Sequence, residues 1–162
     1  MKKLSLILFT LSVSFIVNAQ TIPSWKITDV ADYYSKKSDS VYVINFWATF
    51  CVPCVGEIPY LQSISKKYGQ QKVKLLLVSL DLPSFYPRKV KKFVKKNQFT
   101  ADVVWLDETD ADHFCPVIDK KWSGAMPATL LVNAATGYKK FIESAMTEQQ
   151  FEKELRLAIG KD

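Results

Sequence analysis

The first half of the chain alternates apolar runs with segments of helical pattern. Val41–Trp47 carries no charged residue, which is typical of a strand covered on both faces of a sheet. Residues 73–80 are also mostly apolar and predict a second buried strand, which ends at Asp81. The pattern predicts helices at 28–37 and 52–68, with Thr28 as the cap of the first.

The second half begins with a basic amphipathic segment. In residues 88–96, Val90, Phe93 and Val94 recur at i, i+3 and i+4, which predicts a helix with one apolar stripe. The other predicted elements are a strand at 103–106, a helix at 110–121, a hairpin of strands at 128–132 and 139–142, and a last helix opened by a capping box at 147–150. Strands that alternate with helices and end in a hairpin indicate an α/β fold, with a central mixed sheet flanked by helices.

The N-terminus has the pattern of an export signal. Two lysines precede an apolar run at 4–17, and small or compact residues fit the −3 and −1 positions of a cleavage site that ends at Ala19. A run of about 14 residues is short for a membrane span. We expect a signal peptide at 1–19 and one domain at 20–162. The expected location is the periplasm, and a membrane anchor formed by an uncleaved leader is the alternative.

Composition and charge narrow the classes of partner. The chain has 162 residues and is 48% hydrophobic and 23% charged, as an ordinary globular domain is. Its net charge is +6. Much of the positive charge lies in 88–96, where a nucleic-acid or membrane patch is the alternative to a solvated helix face. The apolar stripe favours the solvated face. We expect a monomer with no nucleic-acid partner, and membrane contact only through an uncleaved leader.

A Cys-x-x-Cys sequence lies between the buried strand and the second helix. Unpaired N–H groups and the helix dipole at a helix start stabilise a thiolate, which is the nucleophile in disulfide exchange. Cys51 is therefore placed to attack a disulfide, and Cys54 to resolve the mixed disulfide that forms. A structural disulfide is one alternative, but it would close only a very short loop and so restrict the unfolded chain little. A zinc site needs four ligands, and only His113 and Cys115 remain as candidates, without the usual spacing.

Two segments resemble a known superfamily. Residues 46–54, Phe-Trp-Ala-Thr-Phe-Cys-Val-Pro-Cys, with Glu57 and Pro59 after them, resemble the active-site segment of the thioredoxin superfamily. Residues 124–129, Gly-Ala-Met-Pro-Ala-Thr, resemble its cis-proline loop. The pattern is more similar to TlpA/ResA-like exported thiol–disulfide oxidoreductases than to peroxiredoxins, which use a single peroxidatic cysteine. The resemblance implies an enzyme with a thioredoxin-like fold and a central insertion at 83–121.

The resemblance also implies how protons move. Thioredoxin has a buried acidic residue where this chain has Asn45, and asparagine cannot titrate. In TlpA/ResA-like proteins a glutamate three residues after the second cysteine takes a comparable position, which here is Glu57. A carboxyl group among apolar neighbours has a raised pKa and can exchange protons near neutral pH. We expect Glu57 to be catalytic with Cys51 and Cys54, and an exposed glutamate at the helix start is the alternative.

The same comparison suggests the residues that contact substrate. Pro127 is expected to be cis, and the backbone from Met126 onward to pair with an extended substrate segment. Trp47 and Phe50 are expected to form an apolar rim over the disulfide, with Pro53 among the contacts.

The expected direction of electron flow is towards the substrate. The Val-Pro pair between the cysteines offers a thiolate no charge and no side-chain donor, whereas strong oxidants stabilise their reduced form. We expect a reductant of exported proteins, in the manner of relatives that act on haem-attachment cysteines in cytochrome c maturation. A membrane thiol-transfer protein would recharge it, and no cofactor beyond the Cys51–Cys54 disulfide is expected.

The sequence leaves two alternative functions open. One is a general disulfide oxidase or isomerase. The other is a copper-handling protein, in which Cys115 and His113 would join the cysteine pair as ligands. A buried, inert Cys115 and no metal site are the expectation, because free cysteine is among the most buried residue types.

The leader gives the first testable prediction. Mass spectrometry of the exported protein is expected to find Gln20 as the N-terminus, because the cleavage site ends at Ala19. An intact Met1 would contradict cleavage and favour the membrane anchor.

Overall fold

The computed structural model describes residues 21–36 and 38–161 as a mixed α/β fold. The predicted signal peptide at 1–19 and its cleavage site lie outside the described residues. The strands are β1 (Ser24–Trp25), β2 (Val41–Trp47), β3 (Val73–Ser79), β4 (Asp102–Leu106), β5 (Ala128–Asn133) and β6 (Tyr138–Ile142). The helices are α1 (Ile27–Ser35), α2 (Val52–Lys67), α3 (Arg88–Lys96), α4 (Ala111–Ile118) and α5 (Glu148–Ile159), with a short 3₁₀ helix at Gly69–Gln71.

The six strands form one sheet in the order β1-β4-β3-β2-β5-β6. The first four of these run parallel to one another, and β5 and β6 are antiparallel to their neighbours. This confirms the predicted central mixed sheet. The segment 83–121 supplies α3, β4 and α4, so the predicted insertion contributes a strand to the sheet.

Side chains of β2 point alternately to the two faces of the sheet, as the pleat requires. Val43 and Trp47 lie in the core cluster on the side of α2, α3 and α5. Ile44 and Phe46 lie in the cluster on the side of α1 and α4. Every residue of β2 is buried, which explains its continuous apolar sequence.

The packing of α2 follows from its sequence. Its buried residues include Cys54, Ile58 and Leu61, which recur at i, i+4 and i+7 and form one stripe facing the sheet. Lys66 and Lys67 occupy the last turn, where cations complement the negative end of the helix dipole. The disulfide end of α2 is therefore held by a buried helix rather than by a surface loop.

Several predicted bounds need correction. Helix α1 begins at Ile27, and Thr28 is not its cap, because the N–H of Lys26 pairs with the Asp29 carboxylate at 2.8 Å. Helix α4 ends at Ile118 and does not reach residue 121, since Asp119 is already extended. Strand β1 was not predicted at all. No helix among the described residues has the length and apolarity that crossing a membrane requires.

Candidate active site

Cys51 and Cys54 form a disulfide at the start of α2, with their Cα atoms 5.3 Å apart. Cys51 is the N-cap residue, and its sulfur accepts the N–H of Cys54 at 3.3 Å. Cys51 is 9% exposed, whereas Cys54 is completely buried. An incoming sulfur can therefore reach Cys51, while Cys54 faces only the protein.

The turn before the helix sets the position of Cys51. The Cys51 N–H bonds to the carbonyl oxygen of Ala48 at 3.0 Å, so the chain turns directly after β2. Pro53 lies in the first helical turn, where its missing N–H has no intrahelical partner to lose. The Pro53 side chain is exposed beside the disulfide.

A buried aspartate fixes this turn from the neighbouring strand. Asp81, just beyond β3, is 3% exposed and accepts bonds from the Thr49 N–H at 3.1 Å and the Thr49 hydroxyl at 2.5 Å. The Ser79 hydroxyl donates to the same carboxylate at 2.8 Å. The Trp105 indole N–H donates to the Asp81 carbonyl oxygen at 2.7 Å. Thr49 is thereby held two residues before Cys51, a role that was not predicted for Asp81.

Glu57 lies one helical turn beyond Cys54, on the same face of α2. It is 1% exposed, which contradicts the alternative of an exposed glutamate at the helix start. One carboxylate oxygen accepts the Asn45 amide at 2.7 Å and the other accepts the Met146 N–H at 3.1 Å. Burial raises the pKa of Glu57, and these two hydrogen bonds oppose the increase without cancelling it.

Asn45 connects the carboxylate to the sheet. Its amide nitrogen also donates to the Thr129 hydroxyl at 3.0 Å, and these two residues face each other across β2 and β5. An uncharged amide thus occupies the place where thioredoxin is expected to have an acid, and it orients the Glu57 carboxylate. Sequence reasoning identified Asn45 and Glu57 but not the contact with Met146, which lies 89 residues from Glu57.

The loop before β5 contains the predicted cis proline. The Met126–Pro127 bond is cis, Pro127 is buried, and Met126 is half-buried against the cluster that holds both cysteines. The Glu143 carboxylate accepts the N–H groups of Ser123 and Ala125 at 2.9 and 3.0 Å. Hydrogen bonding, with the Ser123 hydroxyl as the strongest contribution, lowers the pKa of Glu143. This anchor was not predicted, because Glu143 is distant in sequence.

The predicted rim over the disulfide is only half correct. Trp47 has no exposed surface and packs against Phe93 and Phe99, with ring centroids 5.9 and 5.2 Å away. It supports the core below the disulfide, so its assignment as a substrate contact is withdrawn. Phe50 is 56% exposed and is free to meet a substrate. Strand periodicity explains the difference, since Trp47 still belongs to β2 and points into the core.

The third cysteine lies far from the disulfide in the fold. Cys115 is buried in the cluster on the α1 and α4 side of the sheet, opposite the Cys51 side. Burial raises its pKa to about 11, with smaller contributions from Glu143 and Asp112. The His113 side chain is 67% exposed. The sheet therefore separates the ligands that the copper hypothesis would bring together, and the residues described form no cluster of three or more metal-binding side chains.

Replacing Asp81 tests the anchor of the active-site turn. We expect Asp81→Asn to lower the free energy of unfolding by about 1–3 kcal/mol, because an amide leaves some of the buried donors of Thr49 and Ser79 unpaired. Urea titration measures the change. Asp107→Asn is the control, since the Asp107 side chain is 48% exposed and a small effect is expected there. Equal losses for the two variants would contradict the anchoring role.

Comparison with known proteins supports the predicted class. A sequence profile described as the AhpC/TSA family matches residues 13–137. The chain is 29% identical over 138 residues to the thiol-disulfide oxidoreductase ResA of Geobacillus kaustophilus, which covers 83% of this chain and 74% of that protein. These matches confirm the resemblance to ResA-like proteins and the predicted enzyme class, thiol–disulfide oxidoreductase.

Solved structures confirm the thioredoxin-like fold. A thioredoxin-related protein from Neisseria meningitidis serogroup B superposes with a TM-score of 0.64 at 21% identity, over 78% of this chain and 90% of that one. StoA from Bacillus subtilis superposes with a TM-score of 0.55 at 24% identity, over 75% of this chain and 86% of that one. The profile covers most of the chain, and the chain therefore belongs to the AhpC/TSA family of the thioredoxin superfamily.

Proposed function

We propose that this protein reduces disulfide bonds in other exported proteins through a Cys51/Cys54 dithiol. The observation that carries the proposal is the asymmetry of the pair, since Cys51 reaches the surface and Cys54 is fully buried beside a buried carboxyl group. A structural disulfide has no need of that arrangement. Haem-attachment cysteines of cytochrome c are the candidate substrate that the resemblance to ResA-like proteins suggests.

The first step is attack by the Cys51 thiolate on a substrate disulfide. One substrate sulfur bonds to Cys51, and the other leaves as a thiolate that takes up a proton from water. The N–H of Cys54, which points at the Cys51 sulfur in the oxidised protein, is placed to stabilise the thiolate in the reduced protein. Pro53, the residue before Cys54, has no N–H to donate, so the stabilisation is moderate.

The second step is resolution by Cys54. Its thiol transfers a proton to the Glu57 carboxylate, and the resulting thiolate attacks the Cys51 sulfur. The Cys51–Cys54 disulfide forms, and the second substrate sulfur leaves and takes up a proton. In total, two electrons pass from the protein to the substrate disulfide. One substrate sulfur takes its proton from water, and the other takes the proton that Cys54 gave to Glu57, which restores the carboxylate. Glu57 suits this role because burial raises its pKa towards that of a thiol.

The direction of electron flow rests on the residues between the cysteines. Val52 is 81% exposed and apolar, and Pro53 has neither a charge nor a donor. Strong oxidants of this superfamily stabilise their reduced form, which raises their potential. A general oxidase or isomerase would need such stabilisation, so we favour a reductant.

Substrate binding is assigned to the surfaces beside Cys51. The backbone of Met126 and the cis Pro127 would pair with an extended substrate segment, while Phe50 and Pro53 offer exposed apolar contacts. Main-chain pairing supplies affinity with little dependence on substrate side chains. This arrangement suits an enzyme that acts on unfolded or extended protein segments.

We also infer where the protein works and how it is recharged. The protein acts in the periplasm as a monomer, with the Cys51–Cys54 disulfide as its only redox group. A reductant in an oxidising compartment must be recharged, so a membrane thiol-transfer protein supplies a dithiol that reduces the disulfide after each turnover.

Insulin reduction and a measured potential test the function. We expect the wild-type protein to reduce insulin disulfides in the presence of a dithiol, with a potential below about −200 mV, nearer to thioredoxin than to the strong oxidants. Cys51→Ser is expected to abolish activity, and Cys54→Ser to accumulate mixed disulfides at Cys51. Cys115→Ser is the control and should retain activity, because Cys115 lies across the sheet. A potential near about −120 mV would instead support an oxidase.

Glu57→Gln tests the proton transfer. In the wild type, the rate of mixed-disulfide resolution is expected to rise with pH as Glu57 ionises above its ordinary value of 4.5. Glutamine cannot accept the proton, so resolution should slow at least about tenfold near neutral pH, and that part of the pH dependence should disappear. Stopped-flow measurement of resolution gives both quantities. Glu148→Gln, an exposed position in the first turn of α5, is the control.

Glu57→Gln also tests how the free energy of unfolding depends on pH. Because the folded-state pKa of Glu57 is raised, the folded protein binds the proton more tightly than the unfolded chain does. The stability that Glu57 contributes is therefore complete below about 4.5, the unfolded pKa, and is lost as the pH rises through the folded value. Urea titrations across this range should show the wild type losing stability relative to Glu57→Gln. A constant difference would contradict the raised pKa.

A further inference from the structure

Exposed apolar side chains lie on the two chain segments that the Thr49–Asp81 contact brings together next to Cys51. Phe50, Val52 and Leu82 are 56%, 81% and 55% exposed, and Phe85 lies half-buried beside Phe50. We call these four residues the apolar rim. Large apolar side chains grouped at one place on the surface indicate a binding site for a partner.

Helix α3 begins just beyond the rim and carries six cations. Arg88, Lys89, Lys91, Lys92, Lys95 and Lys96 are all exposed, while Val90 and Val94 are buried against the core. The helix contains no acidic residue. Among the described residues, no carboxylate lies within ion-pair distance of any of the six. Their charge is therefore available to a partner.

Helical spacing divides these cations into two rows. Lys89, Lys92 and Lys96 recur at i, i+3 and i+7 on one side of the buried stripe, and we call them the rim-side row. Arg88, Lys91 and Lys95 recur at i, i+3 and i+7 on the other side and form the far row. The two rows carry the same charge on the same helix, which provides a matched comparison.

Ring contacts join the rim-side row to the disulfide. The Phe50 and Phe85 rings meet nearly at a right angle with centroids 6.5 Å apart. The Lys89 ammonium group lies 3.8 Å from the centroid of the Phe85 ring. Phe50 immediately precedes Cys51. A series of ring contacts thus runs from Phe50, the residue before Cys51, through Phe85 to Lys89 of the rim-side row.

We infer that the substrate is a protein segment in which apolar residues flank the disulfide and acidic residues follow, and that the acidic residues contact the rim-side row. The inference rests on the proposed function and names the substrate class of the same site. Charge complementarity steers such encounters and fixes their register more than it adds affinity. A protein fits better than an anionic membrane because two rim residues, Phe50 and Val52, flank Cys51, whose sulfur reacts with another sulfur.

Three disulfide peptides test the inference. They share an aromatic residue beside the disulfide and differ only in three following residues, which are Glu, Gln or Lys. Pre-reduced full-chain protein is mixed with each peptide in a single turnover, and each rate is divided by the rate of the same peptide with dithiothreitol to remove intrinsic reactivity. At low salt we expect the Glu peptide to react at least about tenfold faster than the Lys peptide. The preference should shrink at about 0.5 M salt because screening shortens the range of charge.

Matched charge reversals locate the preference. Lys89→Glu/Lys92→Glu/Lys96→Glu is expected to remove or invert it, whereas Arg88→Glu/Lys91→Glu/Lys95→Glu should keep most of it. Both variants change the net charge equally and alter one lysine in the last turn of α3. Thermal melts followed by circular dichroism confirm that both fold, and bis(2-hydroxyethyl) disulfide, a neutral substrate, reports whether the dithiol still reacts.

The outcomes separate the inference from the proposed function. Equal normalised rates for the three peptides, or equal losses in both variants, would overturn the inference and leave the reductase intact. Binding to phosphatidylglycerol vesicles through the rim-side row, without a peptide preference, would overturn it in favour of a membrane surface. Failure to reduce any peptide or the neutral disulfide would refute the proposed function itself.

Discussion

The candidate site depends on the tight turn that joins a strand buried on both faces to the first turn of a helix. Strand β2 is hydrogen-bonded to β3 and β5, and none of its residues is exposed. A slip of one residue would turn every side chain of β2 to the other face of the sheet, so its register is fixed. Cys51 follows four residues after the strand ends, and Asp81 fixes the intervening turn through Thr49. The accessible sulfur is thus positioned by the sheet rather than by a flexible loop.

Two buried carboxyl groups near this junction have different tasks because their neighbours differ. Asp81 uses both oxygens to bind Thr49 and Ser79 and so holds the turn. Glu57 receives one donor on each oxygen, and burial outweighs them in setting its pKa. A carboxyl group that is buried but lightly hydrogen-bonded can change its protonation state at a modest cost. The chain therefore separates the group that holds the turn from the group suited to handle a proton.

Short stretches of sequence correctly predicted the strands, helices and caps that depend on neighbouring residues. The continuous apolar sequence of β2, the basic helix at 88–96 and the capping box of the last helix all appear where the pattern placed them. Position 127 was recognised as a cis proline through its motif rather than through its own neighbours. The prediction that Trp47 lies on the rim was wrong because Trp47 is the last residue of β2. The pleat of the strand, rather than the sequence motif, decides that its side chain points into the core.

The features that sequence reasoning missed are contacts between distant segments. Asp81 and Thr49 are 32 residues apart, and Met146 and Glu57 are 89 residues apart. Strand β1 has only two residues and exists because β4 offers it a parallel partner. The position of Asp81 at the end of a predicted buried strand was a usable signal, since polar residues at such ends meet the neighbouring strand's turn. Nothing local in the sequence indicates which backbone group they will hold.

Under the proposed function, two surfaces beside the disulfide have different parts in substrate recognition. The cis-proline loop offers backbone, which pairs with almost any extended chain and so cannot select among substrates. The rim and the basic helix offer side chains, and side-chain contacts depend on the identity of the partner. Because the cations of α3 are exposed while its apolar stripe packs on the core, the cations can be replaced without disturbing β2, Cys51 or Glu57. A reductant that must react with few of the many disulfides in an oxidising compartment needs that independence, and a charged helix next to an otherwise permissive site provides it.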